Sequence, residues 1–352
     1  MTPDATFWRG RRVLVTGHTG FKGSWLSALL VSMGADVTGL ALEPLPGGIH
    51  VRIGIDRQLR SVRVDIRDRD DTRDAILESA PEVVLHLAGQ ALVGHGYADP
   101  VGTFSTNVLG TAHVLDAIRN CSSVRAVVVV TSDKVYKNDG SMRAFREDDS
   151  LGGDDPYSAS KAACEMVVRA WQPLLVERGV RVGAARSGNV IGGGDVAEGR
   201  LLPDVFRALR GDGIVRLRNP ASTRPWQFVL DPLFGYLELA EHLAAADHAV
   251  PVALNFGPDP ASVTTVADVV ERAFAILGGG RWAPTSERLG TEAKTLSLDA
   301  ALAKATLGWR PVLDLETALR WTCEWFRAEE AGDDCAALCA TQIARYVELA
   351  AQ

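Results

Sequence analysis

Three glycines spaced three apart, Gly17, Gly20 and Gly23, stand between a β-rich run at 12–16 and a helical pattern at 21–33. That order constrains the chain more than any other feature. A strand, a glycine-rich turn and a helix in succession make a phosphate-binding unit. Gly17 permits the tight turn, Gly20 lets a pyrophosphate approach the backbone, and Gly23 lets the helix pack close to the strand. The helix amino terminus then offers free N–H groups to the phosphates. Thr19, Phe21 and Lys22 share this turn and are assigned with the glycines to a dinucleotide.

The alternation continues through the first half. Strands are expected at 36–40, 62–65, 83–88, 125–131 and 181–187, and helices at 69–79, 101–119 and 156–178. Strands separated by helices pair in parallel. Near-continuous apolar runs such as AVVVVT at 126–131 suit a sheet buried on both faces. The fold class is therefore α/β: a Rossmann-type doubly wound parallel sheet with a smaller C-terminal α/β substrate lobe. Residues 1–187 form the expected dinucleotide domain and 188–352 the substrate lobe, with segments around 226–260 returning to the first sheet. Gly and Asp make 188–199 read as irregular, and 218–227 reads as a loop. A strand is expected at 214–217, and helices at 202–209, 231–245, 264–277, 313–327 and 334–352.

Composition narrows the class. A length of 352 residues suits two such units, and 47% hydrophobic with 23% charged residues argues against wholesale disorder. The aliphatic run at 127–130 is far short of the roughly 18 residues that span a bilayer. The amino terminus lacks the apolar region of a secretion signal. A membrane partner is not expected. A formal charge of −7 argues against a general nucleic-acid surface. Five cysteines, an odd count without a secretion signal, fit a reducing cytoplasm. Cys335 and Cys339 can share a helix face, but two thiols with no His at ligand spacing make no metal site, so no metal is expected.

Tyr157 and Lys161 stand four apart near the start of the long helical segment, on one face. An ammonium beside a phenol favours phenolate and lowers the Tyr pKa. Such a Tyr can take a hydroxyl proton while hydride leaves for a nicotinamide. Ser132, Asp133 and Lys134 close the preceding strand. Strand carboxyl ends are where doubly wound sheets place ligands, and Ser132 can bond the reacting oxygen. Asp65 and Ile66 end the third strand and are candidates for adenine, while Leu87 and Ala88 close the fourth and Gln90 follows it. The position expected to hold a ribose-binding acid is Ala41, with Glu43 beyond it, and no Arg stands there for a 2′-phosphate. NAD is favoured and NADP stays open. His86, at a strand end, reads as a core histidine before a cofactor contact.

Taken together, these segments resemble the extended short-chain dehydrogenase/reductase superfamily, and within it the CDP-glucose 4,6-dehydratases. GHTGFKGSWL (17–26), TSDKVY (131–136), YSASK (157–161), SGNVIGGGD (187–195), RNPASTRPWQ (218–227) and LGWRP (307–311) carry the resemblance, across residues 12 to 326. It implies a nucleotide-diphosphohexose as substrate. Tyr157 would take the C4 hydroxyl proton during oxidation by NAD, Lys134 the C5 proton, and Asp133 would protonate the departing C6 hydroxyl before hydride returns to C6. Asn107 would shape the central helix beside the cofactor, and Asn189, Arg200, Arg224 and Gln90 would hold the substrate. Arg suits a diphosphate through paired charge-assisted hydrogen bonds. A homodimer through the helices at 101–119 and 156–178 is also implied.

The departures from that family are grouped. Gly94, His95, Gly96, Val196, Gly199, Phe228 and Thr291 stand at positions that border its substrate pocket. The glycine turn and the Ser132, Asp133, Lys134, Tyr157 and Lys161 set are intact. Redox machinery is retained while recognition is altered. A dehydratase for another nucleotide sugar and a nucleotide-sugar epimerase stay open as alternatives. A non-catalytic NAD-binding regulator is disfavoured, since both Tyr157 and Lys161 are present.

Overall fold

Alternate side chains along each central strand go to opposite faces, and here both faces are covered. Val13, Val15, Leu85 and Val128 enter one apolar core with Trp25, Leu29, Leu233 and Leu237. Leu14, Val84, Val127 and Val129 enter another with Leu115, Ile118, Val168 and Leu175. Each such side chain, fully buried, contributes about 1.5–3 kcal/mol. The computed structural model describes residues 2–138, 140, 143–245, 251–286 and 295–352.

In chain order the strands are β1 (Arg12–Thr16), β2 (Asp36–Ala41), β3 (Arg60–Arg63), β4 (Val83–His86), β5 (Ala126–Val130), β6 (Arg181–Ser187), β7 (Asn189–Ile191), β8 (Ile214–Leu217), β9 (Thr223–Phe228), β10 (Ala253–Phe256), β11 (Val263–Thr265) and β12 (Arg281–Pro284). A parallel seven-stranded sheet runs β10-β6-β5-β4-β1-β2-β3. The order reverses at β1, the switch point where ligands bind in such sheets. A three-stranded sheet, β11-β9-β7, and a two-stranded one, β12-β8, build the second region. The chain leaves the large sheet at Ser187, then returns through the helix Leu230–Ala245 to place β10 beside β6.

Several expectations are corrected. β7 lies inside the stretch read as irregular, and β9 begins in the stretch read as a loop and ends one residue past it. They pair with each other, Asn189 opposite Trp226, a long-range pairing that local composition does not disclose. Among the glycines that suggested irregularity, Gly192, Gly193 and Gly194 are required by packing; a Cβ on Gly193 would sit 2.0 Å from the Trp325 ring. β3 begins two residues before the expected strand, because this sheet-edge segment has no fully buried residue to mark its ends. The helix read at 101–119 is three pieces: Pro100–Phe104, a π-helical turn at Ser105–Leu109, and Gly110–Arg119.

The carboxyl terminus is fastened from inside. Asp231 Oδ1 accepts from the Tyr346 hydroxyl and the Val312 N–H, both at 2.7 Å. This holds the helix Cys335–Ala350 against the body. Cys335 and Cys339 are buried on it, and all five cysteines are buried free thiols. No described helix is long and apolar enough to cross a membrane.

Candidate active site

A cleft of about 1100 Å³ opens at the carboxyl ends of the parallel strands. Gly17, Thr19, Gly20, Phe21, Lys22 and Gly23 line one end of it. The three glycines are there for different reasons. Gly17 has φ +74°, and a Cβ on it would meet Ala88 N at 2.8 Å. A Cβ on Gly23 would lie 2.1 Å from Gly17 O. Gly20 has an ordinary φ of −79° and caps the helix Phe21–Ser32 without a side chain. A Cβ there meets only Gly17 O, at 3.3 Å. The fold thus demands Gly17 and Gly23, while Gly20 leaves a cradle open toward the cleft. That cradle, at an uncapped helix start, fits a dinucleotide pyrophosphate. Gly20→Val should keep its circular dichroism and lose NAD binding by calorimetry. Parental affinity in that variant would contradict the assignment.

The adenosine end is walled by Ala41, Leu42, Val64, Asp65, Ile66 and Arg67. Arg67 bonds both oxygens of Asp65, which holds that carboxyl below its usual range. Leu87, Ala88 and Gln90 line the middle of the cleft. His86 is a satisfied core residue, 2.7 Å from Thr16 Oγ1 and 3.0 Å from Thr111 Oγ1, and burial pushes it down to about 3.

Asn107 is 1% exposed and stands behind the wall. Its Oδ1 accepts from Gln90 N at 2.8 Å, and its Nδ2 donates to Gln90 O and Ser160 Oγ. The π-helical turn aims it inward, so it braces the Gln90 loop against the helix Pro156–Val176. Such turns recur at functional sites.

Ser132, Asp133, Lys134, Tyr157 and Lys161 all face the cleft. The Ser132 hydroxyl donates to Asp133 Oδ1 at 3.0 Å. Asp133 is 3% exposed, and its Oδ2 has no hydrogen-bond partner. Burial raises its pKa, with Lys134, Ser132, Arg224 and Lys22 pulling the other way. A carboxyl held toward its neutral form can donate a proton. Lys161 donates to the Val130 carbonyl at 3.3 Å, and burial lowers its pKa.

The expected lowering of the Tyr157 pKa is corrected. Burial pushes the phenol up to about 12, outweighing the hydrogen bond from Ser132 and the charge of Arg200. Desolvation of a phenolate is the dominant effect here.

At the other end Asn189, Arg200 and Arg224 line the cleft. Arg224 is buried and donates to the Thr223 carbonyl. Arg200 pairs with the buried Asp195 at 3.6 Å. Among the departing positions, Gly94, His95 and Gly199 line the cleft. Gly96 backs Tyr157, where a Cβ would approach its N at 3.1 Å. Val196 and Phe228 do not reach the wall. Phe228 is fully buried between Trp25 and Trp321. Thr291 lies outside the described residues.

Two features escaped the sequence. The Lys22 amine reaches the catalytic end, donating to Ser187 Oγ at 2.7 Å and to the Tyr236 hydroxyl at 3.2 Å. Burial, with Arg200 and Lys161 nearby, pushes it down to about 7. Arg63 comes from the neighbouring strand to the end of β2, bonding Glu43 at 3.2 Å. Its charged partners, Glu43 and Asp56, lie outside its strand, so spacing gave no signal.

Residues 13–255 match the NAD dependent epimerase/dehydratase family. Over 352 residues the chain is 40% identical to the CDP-glucose 4,6-dehydratase of Salmonella typhimurium, covering 98% of both sequences. Among solved structures it resembles MoeE5 in complex with UDP-glucose and NAD, with TM-score 0.77, 28% identity, and coverage of 90% of this chain and 99% of that one. It also resembles the dTDP-glucose 4,6-dehydratase DesIV from Streptomyces venezuelae with NAD bound, with TM-score 0.79, 25% identity, and coverage of 92% and 99%.

Proposed function

The chain belongs to the NAD dependent epimerase/dehydratase family, and from that premise we propose that it converts a nucleotide-diphosphohexose, CDP-glucose, to the 4-keto-6-deoxy sugar. One observation carries the choice of dehydration over epimerisation. Asp133 stands buried in the same cleft as Tyr157, with a raised pKa and one oxygen unbonded. Losing water from C5 and C6 needs an acid for the departing hydroxyl; inverting C4 expels no hydroxyl and needs only the proton that Tyr157 took to be returned to the C4 oxygen. The 40% identity to a CDP-glucose 4,6-dehydratase supports the nucleotide and sugar.

The residues then have separable roles. Gly17 to Gly23 and the Asp65–Arg67 wall would hold NAD, which supplies a hydride acceptor at sugar C4 and a donor at C6. Tyr157 accepts the C4 hydroxyl proton, with Ser132 bonding the same oxygen. The C4 ketone acidifies the C5 proton, and Lys134 removes it. Asp133 gives its proton to the C6 oxygen, and water leaves. Arg200, Arg224, Asn189 and Gln90 hold the diphosphate and sugar in place. Incubation with CDP-glucose and catalytic NAD, followed by mass spectrometry of the sugar nucleotide, tests this reading. Loss of one water is expected, and a product isomeric with substrate would point to epimerisation.

The same reading places the enzyme in a reducing cytoplasm, which suits its five free thiols. It also makes the enzyme a homodimer. Val101, Phe104 and Leu109 on one helical run, and Met166, Leu174 and Val176 on the helix Pro156–Val176, are exposed apolar side chains. Pairing these helices across a two-fold axis would bury them in a four-helix bundle. Light scattering should give twice the 37.7 kDa chain mass. A single-chain mass at micromolar protein would contradict the dimer.

A further inference from the structure

Lys22 belongs to the glycine turn by sequence, but its charge lies elsewhere. Its backbone stands between Phe21 and Gly23, on the wall that fits the pyrophosphate. Its side chain leaves the turn for the reacting end of the cleft. There Nζ donates to Ser187 Oγ at 2.7 Å and to the Tyr236 hydroxyl at 3.2 Å, and that hydroxyl donates to Ser187 Oγ at 2.7 Å. Ser187 closes β6, and Tyr236 comes from the helix Leu230–Ala245. Tyr236 is also near enough to Tyr157 for their charges to interact. The turn, β6 and that helix therefore fix one amine beside the catalytic set.

Among the described residues, both bonds of this amine go to neutral hydroxyls. The charges that act on it are mostly of its own sign. Arg200 and Lys161 oppose it, and Asp133, from the turn after β5, attracts it. Asp133 is itself raised toward its neutral form. The cation is left poorly compensated at the place where the sugar reacts.

We infer that the Lys22 ammonium poises the bound cofactor toward its reduced form. The inference rests on the NAD site and the C4 oxidation described above. In that oxidation the C4 hydride leaves with its electron pair for the nicotinamide, and the C4 hydroxyl proton goes to Tyr157. The sugar becomes the ketone, and the ring loses its positive charge. Both transfers start at sugar C4, so the ring has to lie beside Tyr157, where Lys22 carries its charge. A fixed cation there repels the oxidised ring and leaves the neutral reduced ring alone. Oxidation of the sugar becomes easier, and the hydride is kept until water has left and C6 can take it back.

NAD and NADH share their pyrophosphate and adenosine. Whatever Lys22 contributes to holding those parts cancels in the ratio of the two affinities, which then reports the ring charge. Both are titrated calorimetrically into the parent, Lys22→Met and Lys22→Arg, from about pH 6 to about pH 9, after circular dichroism of each protein. At the acid end Lys22→Met should lower the preference for NADH about tenfold, or about 30 mV in the potential of the bound two-electron couple. Burial first, then Arg200 and Lys161, push the parental amine down to about 7. Its charge is present below that pKa and lost above it, so the parental preference should fall as pH rises. Asp133, Lys161, Arg200 and Tyr236 face the same amine and are kept in Lys22→Met, so the difference between the two profiles belongs to Lys22. Lys22→Arg carries a charge that does not titrate in this range and should hold the acid-end preference throughout. A parental ratio in Lys22→Met would overturn the inference and leave the NAD site standing. So would a parental ratio that stays constant with pH, a result that needs no variant to fold. A parent that binds neither NAD nor NADH would overturn the NAD site and this inference together.

Discussion

Tyr157→Phe is expected to lower kcat by about 10²–10⁴-fold and to remove formation of bound NADH, because under the proposed function it deletes the acceptor of the C4 hydroxyl proton. The ring is 7% exposed and begins the long helix capped by Asp155. Phe keeps its volume, so the fold and NAD affinity should survive. A loss of rate with intact NAD binding is then a loss of chemistry. The pH dependence follows from the raised phenol. With the group pushed up to about 12, the basic form is a minor species at neutral pH and grows as pH rises. Single-turnover oxidation should therefore increase with pH across the neutral range in the parent. Oxidation at the parental rate in Tyr157→Phe would exclude Tyr157 as the base.

Lys134→Ala separates the next step. Lys134 sits on the single 3-10 turn Asp133–Val135, faces the cleft, and is the largest charge influence on Asp133. Without it, C4 oxidation still has Tyr157 and Ser132, but nothing at this strand end removes the C5 proton. Rapid mixing with CDP-glucose should show bound NADH forming and persisting, with water loss slowed by about 10²–10⁴-fold. The two variants thus fail on opposite sides of the ketone. Water loss at the parental rate in Lys134→Ala would assign the base elsewhere.

Much of this site was legible because its parts are short and local. The glycine turn, the Ser132–Lys134 strand end and the Tyr157/Lys161 helix face each follow from one element, and the parallel sheet then brings them to one cleft. What was not legible depends on contacts between distant segments. β7 and β9 looked irregular because each needs the other to be a strand. Asn107 is turned inward by a π-helical turn that apolar periodicity does not reveal. Arg63 reaches the end of β2 only through strand register. The Tyr157 pKa went the opposite way from the local reading because spacing shows the lysine beside the phenol but not the depth of burial around it. Phe228, read as a pocket position, is core because two tryptophans from remote helices enclose it.

The central claim is elimination with internal return of the hydride, and isotope transfer tests it most directly. CDP-glucose deuterated at C4 is turned over with a trace of unlabelled NAD, and the product is read by NMR. The account predicts one water lost, deuterium recovered at C6 of the 4-keto-6-deoxy sugar, and no net build-up of NADH. Deuterium accumulating in free NADH, or a product that keeps its C6 hydroxyl, would contradict it.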